Sequence, residues 1–275
     1  MIPTRKLKTG SEIPAIGFGT WDISQKNVAE KVKLALEAGY NHIDTAEGYK
    51  NEAGIGDVLT GQSRDDLFIT SKVLPSNLNY ESVLKACQRS LEKLGTNYLD
   101  LYLIHWPNPA ISLRETLSAM KTLVDQGLVK NVGVSNFSVY QLNVALKISP
   151  VPIAVNQVEF HPWLYQQELL ELCNQNDVVI GASAPLARTE VLQDETIIEL
   201  AAKYDKSPAQ IVLNWEVIKG IVPLPKSKSA AHIKENLAIF DWELSGDDVA
   251  KIDQITKEKR VYMISLDDET YGIRS

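Results

Sequence analysis

Four residues in the first half of the chain are of types that can move a proton between them: Asp44, Tyr49, Lys72 and His105. A free tyrosine has a pKa of about 10 and is a poor acid at neutral pH. An ammonium beside it favours the phenolate and lowers that value, and a carboxylate on the ammonium fixes it in place. A histidine within hydrogen-bond reach can orient a carbonyl oxygen or relay the proton. Such a group suits protonation of a developing alkoxide while a separate donor delivers hydride. Each residue also has a plainer reading. Asp44 would cap the loop beyond its strand, and Tyr49 would be a rim aromatic with a satisfied hydroxyl. Lys72 would be a snorkelling charge, and His105 a packed histidine ahead of Trp106-Pro107.

The choice between these readings rests on the elements that carry the four residues. Short apolar runs recur at 15–19, 41–45, 67–73, 99–105, 128–135, 153–159, 178–184 and 220–225. Their Val, Ile, Leu and Phe content suits strands buried on both faces, as in a parallel sheet. Amphipathic patterns fall between them at 27–39, 80–95, 112–127, 138–148, 165–176, 207–219 and 231–238, and Asn51-Glu52 begins one more. Ser112 with Glu115 reads as a capping box at the start of the third. The alternation predicts a (β/α)8 TIM barrel, with a doubly wound sheet as the runner-up. Residues 4–14 predict an N-terminal β-hairpin turned at Thr9-Gly10, and 194–204 and 246–255 two extra helices. Barrel enzymes work at the C-terminal ends of their strands. Those ends are Asp44, Lys72, His105, Ser135-Asn136, Gln157 and Ser183, of which the first three are titratable.

Composition narrows the class further. No linker-like segment divides the 275 residues, so 1–275 is expected to form a single domain. A formal charge of −7 disfavours nucleic acid and anionic membranes as partners. The two cysteines, Cys87 and Cys173, form no C-x-x-C pair, so no metal is expected. The start has no apolar signal region and no run is long enough to span a bilayer, which predicts a cytoplasmic protein. It is expected to act as a monomer or weak homodimer.

The motifs HIDTAEGYKNE (42–52), TSK (70–72), LIHWP (103–107), GVSNF (133–137), NQVE (156–159) and PKS (225–227) resemble those of the aldo-keto reductases. The resemblance runs from the hairpin and GFGTW (17–21) to the last helix. It is nearest to the compact microbial type that includes diketogluconate and methylglyoxal reductases. It implies NAD(P)H-dependent reduction of aldehydes, α-dicarbonyls or sugars, with NADPH as the cofactor and NADH as a possible substitute. Tyr49 would be the proton donor, Lys72 held by Asp44 would lower its pKa, and His105 would orient the carbonyl. Asp44, Ser135, Asn136 and Gln157 would lie at the nicotinamide end, and Gly19, Thr20 and Trp21 along its ribose. Ser183, Leu186 and Arg188 would follow the cofactor outward. Lys226, Ser227 and His232 would meet a 2′-phosphate, with Glu235 and Asn236 near the adenine. Trp21, Tyr49, His105, Trp106 and His161 or Trp163 would wall the substrate pocket, and the segment 261–275 would close it.

The chemistry of these types agrees with that placement. Asn and Gln amides match the donor and acceptor of a carboxamide, and a lysine and a hydroxyl beside the helix start at 231 suit a phosphate. A Rossmann fingerprint is missing, because Asp22 stands where its third glycine belongs. Two positions depart from the family pattern: Ser183 replaces an aromatic that would face the nicotinamide, and His232 replaces an arginine. Two other readings stay open on sequence: a barrel aldolase with Lys72 as Schiff-base nucleophile, and a nicotinamide-binding sensor without catalysis.

Overall fold

A computed structural model describes residues 2–262. It opens with an antiparallel hairpin of β1 (Thr4–Lys6) and β2 (Glu12–Pro14), turned at Thr9-Gly10 as predicted. Eight parallel strands follow, ordered in space as in sequence. They are β3 (Phe18–Gly19), β4 (His42–Asp44), β5 (Phe68–Val73), β6 (Leu99–Ile104), β7 (Val129–Ser135), β8 (Ile153–Glu159), β9 (Val179–Ser183) and β10 (Val222–Pro223). Gly17 N donates to Pro223 O at 3.0 Å and Gly19 N to Pro225 O at 3.1 Å, so the first and last strands meet. A doubly wound sheet would leave those edges open. The chain is a barrel.

Helices α1 (Gln25–Ala38), α2 (Glu52–Leu59), α3 (Tyr80–Leu94), α4 (Leu113–Asp125), α5 (Val139–Ile148) and α6 (Gln167–Gln175) cover the first six crossovers. Beyond β9 come α7 (Glu195–Tyr204), α8 (Pro208–Ile218), α9 (Ala230–Glu235) and α10 (Gly246–Asp253). The stretches 194–204 and 246–255 are thus the two helices extra to the βα repeat. The capping box expected at Ser112 does not form. Ser112 makes no side-chain cap bond, and Glu115 Oε1 accepts instead from Tyr80 N at 2.8 Å, tying α4 to α3. Boxes do form at Ser138–Gln141 and Ser207–Gln210. The helix expected at 231–238 is the short α9, one turn and a half long.

Inward positions alternate along each strand. Phe68, Leu101, Leu103, Val155, Val222 and Leu224 form one apolar cluster with Leu7 and Ile13 of the hairpin. The hairpin therefore stoppers the N-terminal end of the barrel, and Ser11 Oγ bonds Asn131 Oδ1 at 2.8 Å. Continuing in steps of two from Phe68 gives Thr70 and then Lys72, and from Val155 gives Gln157 and then Glu159. The interior changes from apolar to polar toward the strand C-termini. Register sets neighbours at that end: Gly19 with Asp44, Ser135 with Gln157, and Glu159 with Ser183. The β7–β8 register shifts between Val132 and Gly133. A Cβ on Gly133 would lie 2.5 Å from Val155 O, so only glycine lets the strands close there.

Candidate active site

Lys72, at the end of β5, is fully buried and its ammonium is surrounded by oxygen. It donates to Asp44 Oδ1 at 2.6 Å, to Thr45 O at 2.8 Å and to Tyr49 Oη at 3.3 Å. Asp44 Oδ2 accepts from Gln157 Nε2 at 2.7 Å, across the barrel mouth. Burying an ion pair costs several kcal/mol of desolvation per ion unless its remaining donors and acceptors are matched. Here they are matched, with all three ammonium hydrogens engaged. The plain readings of Asp44 as a loop cap and Lys72 as a surface charge are excluded.

Tyr49 reaches this pair from a 3-10 turn, Glu47–Tyr49, rather than from a strand. Two residues not anticipated from the sequence hold the turn. Glu47 accepts from Leu74 N at 3.2 Å, from Asn77 Nδ2 at 2.9 Å and from Arg89 Nη2 at 2.9 Å. Asn51 does not cap α2 with its side chain; its Nδ2 donates to Thr20 O and Ile23 O, both at 2.9 Å, and its Oδ1 accepts from Thr45 Oγ1 at 3.0 Å. The Tyr49 ring meets His105 edge to face, with centroids 5.5 Å apart. All four residues therefore converge.

Their protonation differs from expectation in one respect. Lys72 was expected to lower the Tyr49 pKa, yet burial, reinforced by the Asp44 carboxylate, holds the phenol well above its usual value. The negative end of the pair offsets its positive end, and desolvation of a phenolate then decides the direction. His105 is held well below its usual range by burial and by Lys72, so its imidazole is neutral. The phenol keeps a proton to give and the imidazole carries one N–H and one lone pair.

A cavity of about 410 Å³ opens over Tyr49 and Asp44. Gly19, Trp21, Gln157, Ser183, Leu186, Arg188 and Lys226 line it, all expected on cofactor grounds, and so does Tyr262. Two features fit a flat, charged dinucleotide. Gly19 lines the cavity without a side chain, and a Cβ there would lie 2.7 Å from Leu224 O. The outer end of the cavity carries Arg188, 4.9 Å from the Trp21 ring centroid, and Lys226. Asp22 also lines the cavity, where its charge is matched by Lys226 at 3.1 Å and Lys228 at 3.6 Å. Arg188 belongs to a segment in which Ala184, Ala187, Arg188 and Thr189 all have positive φ, strain that a functional loop often stores. Within the rim, Ser135 Oγ and His105 O accept from Asn136 Nδ2, and Thr20 Oγ1 donates to Asp44 O at 2.9 Å.

Other expected residues lie off this wall. Ser227, His232, Glu235 and Asn236 are on the β10–α9 connection, on α9 and just after it, outside the cavity lining. The start of α9 is already occupied by the Ser229 side chain, which accepts from His232 N. Trp106 lines a separate groove beside α5, and its ring makes a T-shaped contact with Tyr262 of the cavity wall, 6.2 Å between centroids. His161 is not a pocket wall: it is fully buried, with Nε2 3.0 Å from Glu159 Oε1. Trp163 is also buried, its Nε1 bonded to Asp194 Oδ2 at 2.7 Å. Of the segment 261–275, Val261 and Tyr262 are described and residues 263–275 lie outside the described residues.

The model of the aldo/keto reductase family matches residues 15–257. A glyoxal reductase of Bacillus subtilis is 43% identical over 261 residues, covering 94% of each chain. The crystal structure of an aldo/keto reductase from Brucella melitensis superposes with a TM-score of 0.88 at 44% identity, covering 92% of this chain and 99% of that one. A Bombyx mori aldo-keto reductase in complex with NADP gives a TM-score of 0.90 at 32% identity, covering 98% and 99%. With barrel, motif order and the buried Tyr49–Lys72–Asp44 hydrogen bonds in agreement, the chain belongs to the aldo/keto reductase family.

Proposed function

We propose that this chain reduces small aldehydes and α-dicarbonyls of the glyoxal kind to alcohols, with NADPH as hydride donor and Tyr49 as proton donor. Nicotinamide-dependent carbonyl reduction is the activity of the family, and a glyoxal reductase is among the relatives. The observation that carries the residue assignment is the buried hydrogen-bond series from Asp44 through Lys72 to the Tyr49 hydroxyl at the cavity floor.

The dinucleotide supplies a hydride when bound. Everything else falls to the chain. The Tyr49 hydroxyl gives its proton to the carbonyl oxygen as negative charge develops there. Lys72 stabilises the phenolate left behind, at the moment when a buried negative charge would otherwise be most costly. Asp44 keeps the ammonium aimed, and Gln157 keeps Asp44 aimed. The neutral imidazole of His105, packed against Tyr49, holds the carbonyl oxygen beside the phenol with its N–H. Trp21 and Tyr262 add aromatic surface to the cavity wall. Arg188 and Lys226 at the outer end favour the phosphate-richer NADPH over NADH.

A Schiff-base role for Lys72 requires a free amine lone pair. The three donor bonds leave none facing the cavity. A non-catalytic sensor has no need of the complete relay. The test is purified Tyr49→Phe assayed with NADPH and glyoxal, methylglyoxal and a benzaldehyde. Turnover should fall about 10²- to 10⁴-fold, while NADPH affinity by fluorescence titration stays within about threefold. A variant that keeps most of the parent rate would remove Tyr49 from the mechanism.

A further inference from the structure

Glu159 ends β8 on the inward face and takes no part in the proton relay, yet its carboxylate is completely buried. Its Oε1 accepts from Val261 N at 2.7 Å and from His161 Nε2 at 3.0 Å, and its Oε2 accepts from Tyr262 N at 2.9 Å. Two consecutive backbone amides, about a hundred residues further along the chain, thus converge on one buried anion. A charge-assisted bond of this kind is roughly twice as strong as a neutral one. The approach to it is stitched down as well: Lys259 N donates to Trp163 O at 2.9 Å, and Lys257 Nζ lies 3.5 Å from the Trp163 ring centroid.

What this arrangement delivers is the Tyr262 ring. Ser183 is the register neighbour of Glu159 and leaves the cavity without a large side chain at that strand end. Tyr262 shares the cavity wall with Ser183 and Tyr49, and its ring makes a T-shaped contact with Trp106. The cavity stays open beside it, so the ring is a wall and not a plug. A flat aromatic face in a cavity of this size complements a planar heteroaromatic ring.

We propose that Glu159, backed by His161, is a positioning residue that clips Val261 and Tyr262 across the barrel mouth, and that Tyr262 thereby serves as the aromatic wall against which the nicotinamide ring is held. The second half of this rests on the function proposed above; the clip itself does not.

The experiment measures NADPH binding by calorimetry and backbone hydrogen exchange in the full chain and in Tyr262→Ala, Tyr262→Phe, Glu159→Gln and Glu159→Asp. Tyr262→Ala should weaken NADPH about three- to tenfold, the scale of one aromatic pair, and Tyr262→Phe should stay within about twofold because the hydroxyl is not the contact. Glu159→Gln, which loses the charge, and Glu159→Asp, which keeps it but shortens the reach, should both speed exchange at Val261 and Tyr262 and leave the strands β5 and β6 unchanged. Both should shift NADPH affinity in the direction of Tyr262→Ala. Unchanged or tighter NADPH binding in Tyr262→Ala overturns the wall, and unchanged exchange at 261–262 in both Glu159 variants overturns the clip. A parent chain that neither binds NADPH nor reduces a carbonyl overturns the proposed function instead, while the exchange measurement still judges the clip.

Discussion

At the residue scale, Asp44 shows how one carboxylate sets both stability and chemistry. Its two oxygens meet Lys72 and Gln157, and its charge is one of the two causes that hold the Tyr49 phenol high. Asp44→Asn keeps the shape and removes the charge. The buried ammonium then lacks a counter-charge, and breaking such a pair costs about 3–5 kcal/mol, to be seen as a lower urea midpoint at pH 7. The same change removes a cause that raises the phenol pKa, so Tyr49 ionises at lower pH. Reduction needs the protonated phenol, and the alkaline limb of the kcat profile should therefore move to lower pH. An unmoved limb in a folded variant would show that Asp44 acts on Lys72 alone. That Asp44, Tyr49, Lys72 and His105 meet was legible in the sequence because each lies at or just beyond the C-terminal end of a strand. The direction of the Tyr49 shift was not, because it depends on how deeply the phenol is buried, and no spacing records that.

At the element scale, the strand runs predicted from apolar content contain the observed strands, from the exact match at 153–159 to the loss of three residues at the start of 15–19. The helices at 80–95 and 138–148 agree with α3 and α5 because period and caps coincide. The box at Ser112 failed for a tertiary reason, since Glu115 found the Tyr80 amide. The same limit hid Glu47, Asn51 and Glu159, whose partners lie on other elements. Glu47 decides where the 3-10 turn of Tyr49 sits, through Leu74 N, Asn77 and Arg89. In Glu47→Ala these donors lose their acceptor, and the half-buried ones cost about 1–3 kcal/mol. The phenol would then sample positions away from the carbonyl oxygen. We expect kcat to fall about tenfold or more, as small displacements of a catalytic group do, with KM for the carbonyl changing less. Steady-state kinetics of Glu47→Ala against Glu47→Gln checks it: the glutamine keeps one acceptor oxygen and should recover part of the loss. Equal losses in kcat and in stability for the two variants would mean the turn is held elsewhere.

At the scale of the whole molecule, the barrel encloses a polar upper interior above an apolar stopper, and acid should loosen it at its buried histidines. His42 is inward on β4, hydrogen-bonded to Thr70 Oγ1 at 3.0 Å and packed edge-on to Phe68 at 4.8 Å between centroids. Burial, with Lys72 nearby, lowers its pKa to about 3, and His105 is lowered in the same way. Between the unfolded value of about 6.5 and about 3 for the folded His42, the unfolded chain binds the extra proton. Stability contributed by each neutral histidine is thus complete above about pH 6.5 and lost as pH falls through that window. For His42 the loss is about 2 kcal/mol by pH 5. Glu52 and Glu216 act in the opposite sense, since burial raises both carboxyls and their folded forms hold protons more tightly. The net slope mixes these terms, so the measurement that isolates the histidine compares slopes. His42→Gln lowers stability at pH 7 through lost packing, but its urea stability should fall less between pH 7 and pH 5 than that of the parent. Parallel profiles for the two proteins would place the acid sensitivity in groups other than His42.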